Sequence, residues 1–118
     1  MSPHGMRQAD YLSHMLEAVK LAQGYVEDMN KADFLEDKRT QQAVILNIMV
    51  IGEAASKLAD EYPEFISKFP QVEWKSMRGM RNRLAHGYFD INLDIVWETV
   101  KQALPELESQ LREIQQAL

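Results

Sequence analysis

The chain has no cysteine, which removes a disulfide framework, thiolate chemistry and the common cysteine-ligated zinc sites, and fits a reducing cytoplasm. No apolar run approaches the roughly 18 residues that cross a bilayer, and the N-terminus has no apolar signal-peptide core. A soluble, cytoplasmic protein with no membrane contact is therefore expected. Strand-period alternation, low-complexity tracts and internal repeats are also missing. Positive charge is in deficit: the net charge of −5 speaks against nonspecific coating of nucleic acid, which needs many Lys and Arg contacts to phosphate.

What is present is helical periodicity. With 118 residues, 46% of them apolar, the chain holds one domain with a single core. Residues 1–8, opening "MSPHGM" with a second Met at position 6, are expected to be a leader, disordered or added by cloning, so His4 stays out of the functional argument. Residues 9–118 are expected to form the domain. Tyr11, Leu12, Met15, Leu16, Val19, Ala22, Val26 and Met29 recur every three or four positions, the apolar stripe of an amphipathic helix. From Ala43 to Ile51 eight of nine positions are apolar and only Asn47 is polar, so that helix must be covered on several sides, inside a bundle or between subunits. Pro63 and Pro70 bracket a short link. "VEWKSMRGMRNRLAH" reads as a further helix, with Gly87 placed to end it in a left-handed conformation. A last helix is expected after Asn92 as N-cap, its stripe Val96, Val100, Ala103, Leu107, Leu111, Ile114 and Leu118 crossing Pro105 with a kink. The expected fold is all-α: an up-and-down bundle of four main helices plus a short linking helix. The doubly covered second helix further predicts a two-fold symmetric homodimer.

Charge is unevenly distributed. Lys75, Arg78, Arg81 and Arg83 give +4 between positions 75 and 88, where no acid occurs, while the remaining nine basic and all eighteen acidic residues leave −9 elsewhere. A local cationic site on an acidic body suits one or two phosphates. A basic helix face paired with acidic neighbours explains the same pattern without function. Within "RNRLAHGY", Asn82 and His86 share a helix face, whereas Arg81 lies about 140° around the axis from His86. A long arginine can wrap toward an imidazole at a helix end, and Tyr88 follows just past the turn. An arginine that holds phosphate and a histidine that titrates near neutrality are the groups that metal-free phosphodiester cleavage needs. Chance gives an Arg-x4-His roughly 0.15 times in this composition, and with a Tyr two positions later roughly 0.005 times, so the triplet carries the argument and the pair does not.

The triplet and its surroundings resemble the HepT type of the HEPN superfamily, the toxin half of a toxin–antitoxin pair. "RNRLAHGY" is similar to that family's Arg-x4-His-x-Tyr signature, and the likeness runs over residues 10 to 110 through "YLSHMLEAV", "IGEAASKL" and "VWETVKQALPELESQL". The resemblance implies an all-α dimeric endoribonuclease that cuts RNA without metal or cofactor by attack of the 2′-hydroxyl. It implies Arg81 and His86 as catalytic residues, Asn82 and Arg78 in support, and Tyr88 as the site where a partner, a minimal nucleotidyltransferase antitoxin, adds AMP. The alternative is a catalytically silent helical dimer that binds a nucleotide or a protein through the cationic cleft.

Each residue also has a plainer explanation. His86 suits a helix C-terminus by charge alone, Arg78 and Arg83 suit ion pairs, and Tyr88 suits simple packing. Glu53 is expected to pair with Lys57 one turn on. Asp10, His14 and Glu17 share a face but lack a second histidine, so they are expected to be solvated and to hold no metal.

Overall fold

A computed structural model describes residues 7–118, leaving residues 1–6 of the expected leader, with His4, outside the described residues. Helix α1 (Gln8–Tyr25) buries Tyr11, Leu12, Met15, Leu16, Val19 and Ala22, the stripe expected of it. It packs against α3 (Lys38–Glu61) and the C-terminal α7 (Leu104–Ala117). The Tyr11 hydroxyl donates to Glu61 at 3.0 Å and the Gln23 amide to Glu108 at 2.8 Å, tying α1 to each neighbour.

Between α1 and α3 lies a helix that apolar periodicity does not reveal, α2 (Lys31–Leu35). Its signal is a reciprocal cap: Asn30 accepts from the Asp33 amide at 2.8 Å, and Asp33 accepts from the Asn30 amide at 3.3 Å. The turn delivers Phe34, fully buried, against Trp97 with ring centroids 5.4 Å apart. Asp37 then caps α3, accepting from the Thr40 amide at 3.1 Å and from its hydroxyl at 2.8 Å.

α3 is the axis of the bundle, with α1 and α5 (Trp74–His86) against it. Asn47, the polar exception in its apolar run, is satisfied locally by donating to the Ala43 carbonyl at 2.9 Å. Taken as an 18-residue window instead of an unbroken run, α3 is long and apolar enough to cross a bilayer, contrary to the reading from runs alone. Its apolar character is accounted for by the bundle, inside which 56% of that window is buried. Coverage is not complete: Leu46 is 60% exposed and Val50 39%.

The expected short link is α4 (Pro63–Ser67), with Pro63 in its first turn, where a missing N–H costs nothing. The last helix begins as α6 (Leu93–Glu98), capped by Asn92, which accepts from the amides of Asp94 and Ile95 at 2.9 and 3.3 Å. It passes through a π-helical stretch, Thr99–Ala103, into α7 without interruption. This revises the expected stripe. Ala103 and Leu118 are exposed and Leu104 is buried, giving Val96, Val100, Leu104, Leu107, Leu111 and Ile114. Two successive four-residue steps overshoot two α-turns by about 80°, and the wider π turn absorbs that drift. It also lies just before Pro105, which cannot donate to the carbonyl four residues back, so the helix continues by widening at that point.

Candidate functional site

The signature residues lie at the C-terminal end of α5. Two buried side chains hold this helix down, Trp74 at its start and Leu84 in its last turn. The Trp74 indole donates to the Phe69 carbonyl at 3.1 Å. At the other end Gly87 donates to the Arg83 carbonyl at 2.8 Å, and a 3₁₀ turn, Tyr88–Asp90, follows with Asp90 donating to the Gly87 carbonyl at 2.9 Å. Gly87 is not left-handed as expected, since its φ is −115° and ψ 38°. Glycine is used there for closeness: a Cβ would stand 3.0 Å from the Arg83 carbonyl oxygen.

Gly52 of α3 sets the distance between α3 and α5. A Cβ at this position would collide with the Arg81 Cβ and come within 2.7 Å of the Met77 carbonyl oxygen. The absent side chain lets the two helices close up, and the basic residues of α5 divide as a result. Arg78 reaches back to α3, donating through Nε to the Ser56 hydroxyl at 3.0 Å, and through one terminal nitrogen to the Ser56 carbonyl at 3.0 Å and to Asp60 at 2.6 Å. Arg81 pairs with Glu53 at 3.4 Å, and its Nε is buried with no hydrogen-bond partner. Glu53 thus finds Arg81 across the helix seam, not Lys57 along its own helix as expected. The separation of helices explains the preference: an adjacent guanidinium, only 28% exposed, meets the carboxylate where less water competes. Arg83 has no carboxylate within ion-pair distance among the described residues, and its guanidinium lies 3.7 Å from the Met80 sulfur.

Arg81 and His86 are not brought into contact. Arg81 faces α3, while His86 is exposed and has no hydrogen-bond partner among the described residues. His86 lines a depression of about 460 Å³ with Arg83, Asp90 and Asn92 over an apolar floor that includes Leu84 and Val96. Asn82 is exposed one turn before His86 on the same face. The Tyr88 hydroxyl turns the other way, toward α3, accepting from the Gln42 amide at 3.4 Å. Tyr88 is 49% exposed and Phe89, edge-on to it with centroids 5.9 Å apart, is 97% exposed. The carboxylates that meet Arg78 and Arg81 escaped the sequence reading, although Glu53, Ser56 and Asp60 recur at spacings of three and four and so share one face of α3. Among the described residues no group of three or more histidines and carboxylates comes together as a metal-ligand set, and Asp10 pairs with Arg7 at 3.4 Å.

Comparison with known proteins gives a consistent result. The family model described as Ribonuclease HepT-like matches residues 15–114. A Methanocaldococcus jannaschii protein named "Putative RNase" is 41% identical over 104 residues, covering 88% of this chain and 84% of the relative. Another of that name from Caldanaerobacter subterraneus subsp. tengcongensis is 39% identical over 106 residues, 90% of this chain and 92% of the relative. The "Probable ribonuclease HepT" of Thermococcus cleftensis is 33% identical over 105 residues, 89% of this chain and 93% of the relative. No solved structure matches. An all-α bundle carrying "RNRLAHGY" at the exposed end of a helix, with relatives aligned over nearly its whole length, places this chain in the ribonuclease HepT-like family of the HEPN superfamily.

Proposed function

We propose that this protein is a ribonuclease that cuts RNA by attack of the ribose 2′-hydroxyl, without a metal ion, and that a nucleotidyltransferase partner silences it by adding AMP to Tyr88. The observation that carries the reading is His86: an exposed imidazole, with no hydrogen-bond partner among the described residues, in one depression with Arg83 at the end of a helix whose sequence is the family signature. The names of the relatives support the ribonuclease activity, and the resemblance of "RNRLAHGY" supports the finer steps.

In the proposed reaction a histidine removes the 2′-hydroxyl proton, the 2′-oxygen bonds to phosphorus, and the 5′-oxygen leaves with a proton from a second group. The products are a 2′,3′-cyclic phosphate and a 5′-hydroxyl. Acid–base help of this kind contributes about 10²- to 10⁴-fold. Arg81 stabilises the extra charge on the phosphorane-like transition state by exchanging Glu53 for a phosphate oxygen, and Asn82 orients the imidazole one turn away. Arg78, held by Ser56 and Asp60, supports the site by fixing α5 on α3. One imidazole does not easily serve as base and acid at once. A homodimer supplies two, and the exposed apolar Leu46, Val50 and Phe89 give it a surface to form on.

The test is cleavage of single-stranded RNA in excess chelator by the purified protein, with end-group analysis and with His86→Ala and Arg81→Ala in parallel. Cyclic-phosphate and 5′-hydroxyl ends are expected, with losses of at least about 10²-fold in each variant. A strict need for Mg²⁺, or 5′-phosphate products, would contradict the mechanism. Activity within a fewfold of the parent in a folded His86→Ala protein would favour the noncatalytic binder. For Tyr88, co-expression with a cognate nucleotidyltransferase should add whole AMP units by intact mass, and Tyr88→Phe should escape them. Silencing without an adduct would mean that the partner acts by occlusion alone.

A further inference from the structure

We infer that Arg83 is a substrate-binding residue: it holds an RNA phosphate in the depression that it shares with His86, while Arg78 stays engaged with α3 and Arg81 leaves Glu53 only in the transition state. The inference rests on the ribonuclease reading and extends it to a residue outside the signature pair. Three arginines leave α5 within six positions, and α3 partners two of them, Asp60 with Arg78 and Glu53 with Arg81. Among the described residues Arg83 has no carboxylate within 4 Å and its guanidinium has only the Met80 sulfur as a hydrogen-bond partner, so its charge and most of its donors remain for a ligand.

Its position suits a phosphate near the reacting group. Arg83 and His86 are three residues apart on one helix face and line the same depression of about 460 Å³. Arg83 also borders a second groove, of about 350 Å³, between α5 and the last helix, floored by Ile48, Met77 and Leu107. It therefore stands where the two depressions meet, and a strand passing His86 along that seam crosses it. Asp90 lines the first depression too, without pairing with Arg83 or His86. Its negative charge limits the place to a single phosphate, which a lone arginine can hold through two hydrogen bonds.

Binding and cleavage are measured separately. A 2′-O-methyl RNA oligonucleotide, which cannot be cut by its own 2′-oxygen, is titrated by fluorescence anisotropy over a salt series, and the matching RNA is used for cleavage. For Arg83→Gln we expect about tenfold weaker binding, a salt dependence lowered by about 0.7 in log–log slope, and a cleavage defect that falls more on KM than on kcat. Arg83→Lys, which keeps the charge, should retain the slope and recover most of the affinity. The Gln variant should melt with the parent, because Arg83 anchors no backbone group or carboxylate; if it does not, the Lys variant, with its slope unchanged and only its affinity reduced, carries the comparison. Parent affinity and slope in Arg83→Gln would overturn the inference and leave the ribonuclease reading standing. A parent that binds the oligonucleotide yet cuts no RNA would overturn the ribonuclease reading, with the Arg83 comparison still decisive for the contact. A parent that neither binds nor cuts overturns both.

Discussion

Replacing Gly52 by alanine should destabilise the protein, while the same replacement at Gly79 should stabilise it. Both glycines are inside long helices, where alanine is intrinsically better by about 0.8–1 kcal/mol. They differ in what a methyl group would meet. At Gly79 nothing lies within 4 Å, so the propensity gain is realised in full. At Gly52 the methyl runs into the Arg81 Cβ and stands 2.7 Å from the Met77 carbonyl oxygen, positions fixed by the backbone of α5 that no rotamer change can vacate. Helix α5 must then back away from α3. Overpacking of this kind costs about 1–3 kcal/mol, and subtracting the propensity gain leaves a net loss of about 1 kcal/mol, reaching 2 if α5 is rigidly held. A chain of this size melts about 4 °C lower per kcal/mol. Gly52→Ala should therefore melt about 4–8 °C below the parent and Gly79→Ala about 3–4 °C above it, by circular dichroism at one fixed protein concentration. A Gly52→Ala protein melting at or above the parent would refute the close approach of the two helices and the account of how Arg81 is positioned.

Three further outcomes follow from contacts already described. Arg78→Ala should cost about 1 kcal/mol in denaturant unfolding, mostly through its two bonds to Ser56. The pairing with Asp60 is half in water, so Asp60→Ala should cost less than half as much, and equal costs would reverse that ranking. Asn92→Ala removes the cap of the last helix and should lower stability by about 1 kcal/mol, with Asn92→Asp close to the parent; an alanine variant as stable as the parent would mean the cap bonds are replaced by water at no cost. The Thr40 amide and hydroxyl hold the Asp37 carboxyl below its ordinary value of 3.8, and Arg112 followed by Gln23 holds Glu108 below its ordinary 4.5. Because the unfolded chain takes up these protons first, the stability they contribute is complete above about pH 5 and is lost as pH falls through 4.5 and then below 3.8. Melting temperatures between pH 6 and 3 should fall accordingly, less steeply in Asp37→Asn and Glu108→Gln, and a flat profile in the parent would contradict the assignment.

The sequence reveals α1, α3 and α7 because burial repeats along each with a period near 3.6, from Leu12 and Met15 in α1 to Leu111 and Ile114 in α7, whereas α5 buries only Trp74 and Leu84. It hides α2, which is too short to show a period and is written only in the Asn30–Asp33 cap. The π-helical stretch is hidden for a related reason. Both Ala103 and Leu104 are apolar, and only the geometry of the widened turn decides which of them faces inward. For the candidate site, adjacency along α5 is legible and adjacency across helices is not. His86 at the helix end and Asn82 beside it follow from residue spacing. The pairing of Arg81 with Glu53, and of Arg78 with Asp60, depends on how closely α5 lies on α3, and that distance is encoded in one glycine on the other helix.

Helix α5 rests on α3, and among the long helices it has no comparable contact with α1 or α7. It contributes only Trp74 and Leu84 to the fully buried core, with Met77 and Met80 half-buried beside them, and is otherwise held by the Arg78 and Arg81 contacts to α3. Such an arrangement allows local opening: α5 can lift or fray from its Gly87 end while the other three helices stay packed. Its backbone amides should exchange with solvent hydrogen sooner than those of α3, and a ligand seated at His86 should slow them, because releasing the helix would first require releasing the ligand. The candidate site is thus carried on a helix that rests on a single long neighbour, where occupancy and local order rise and fall together.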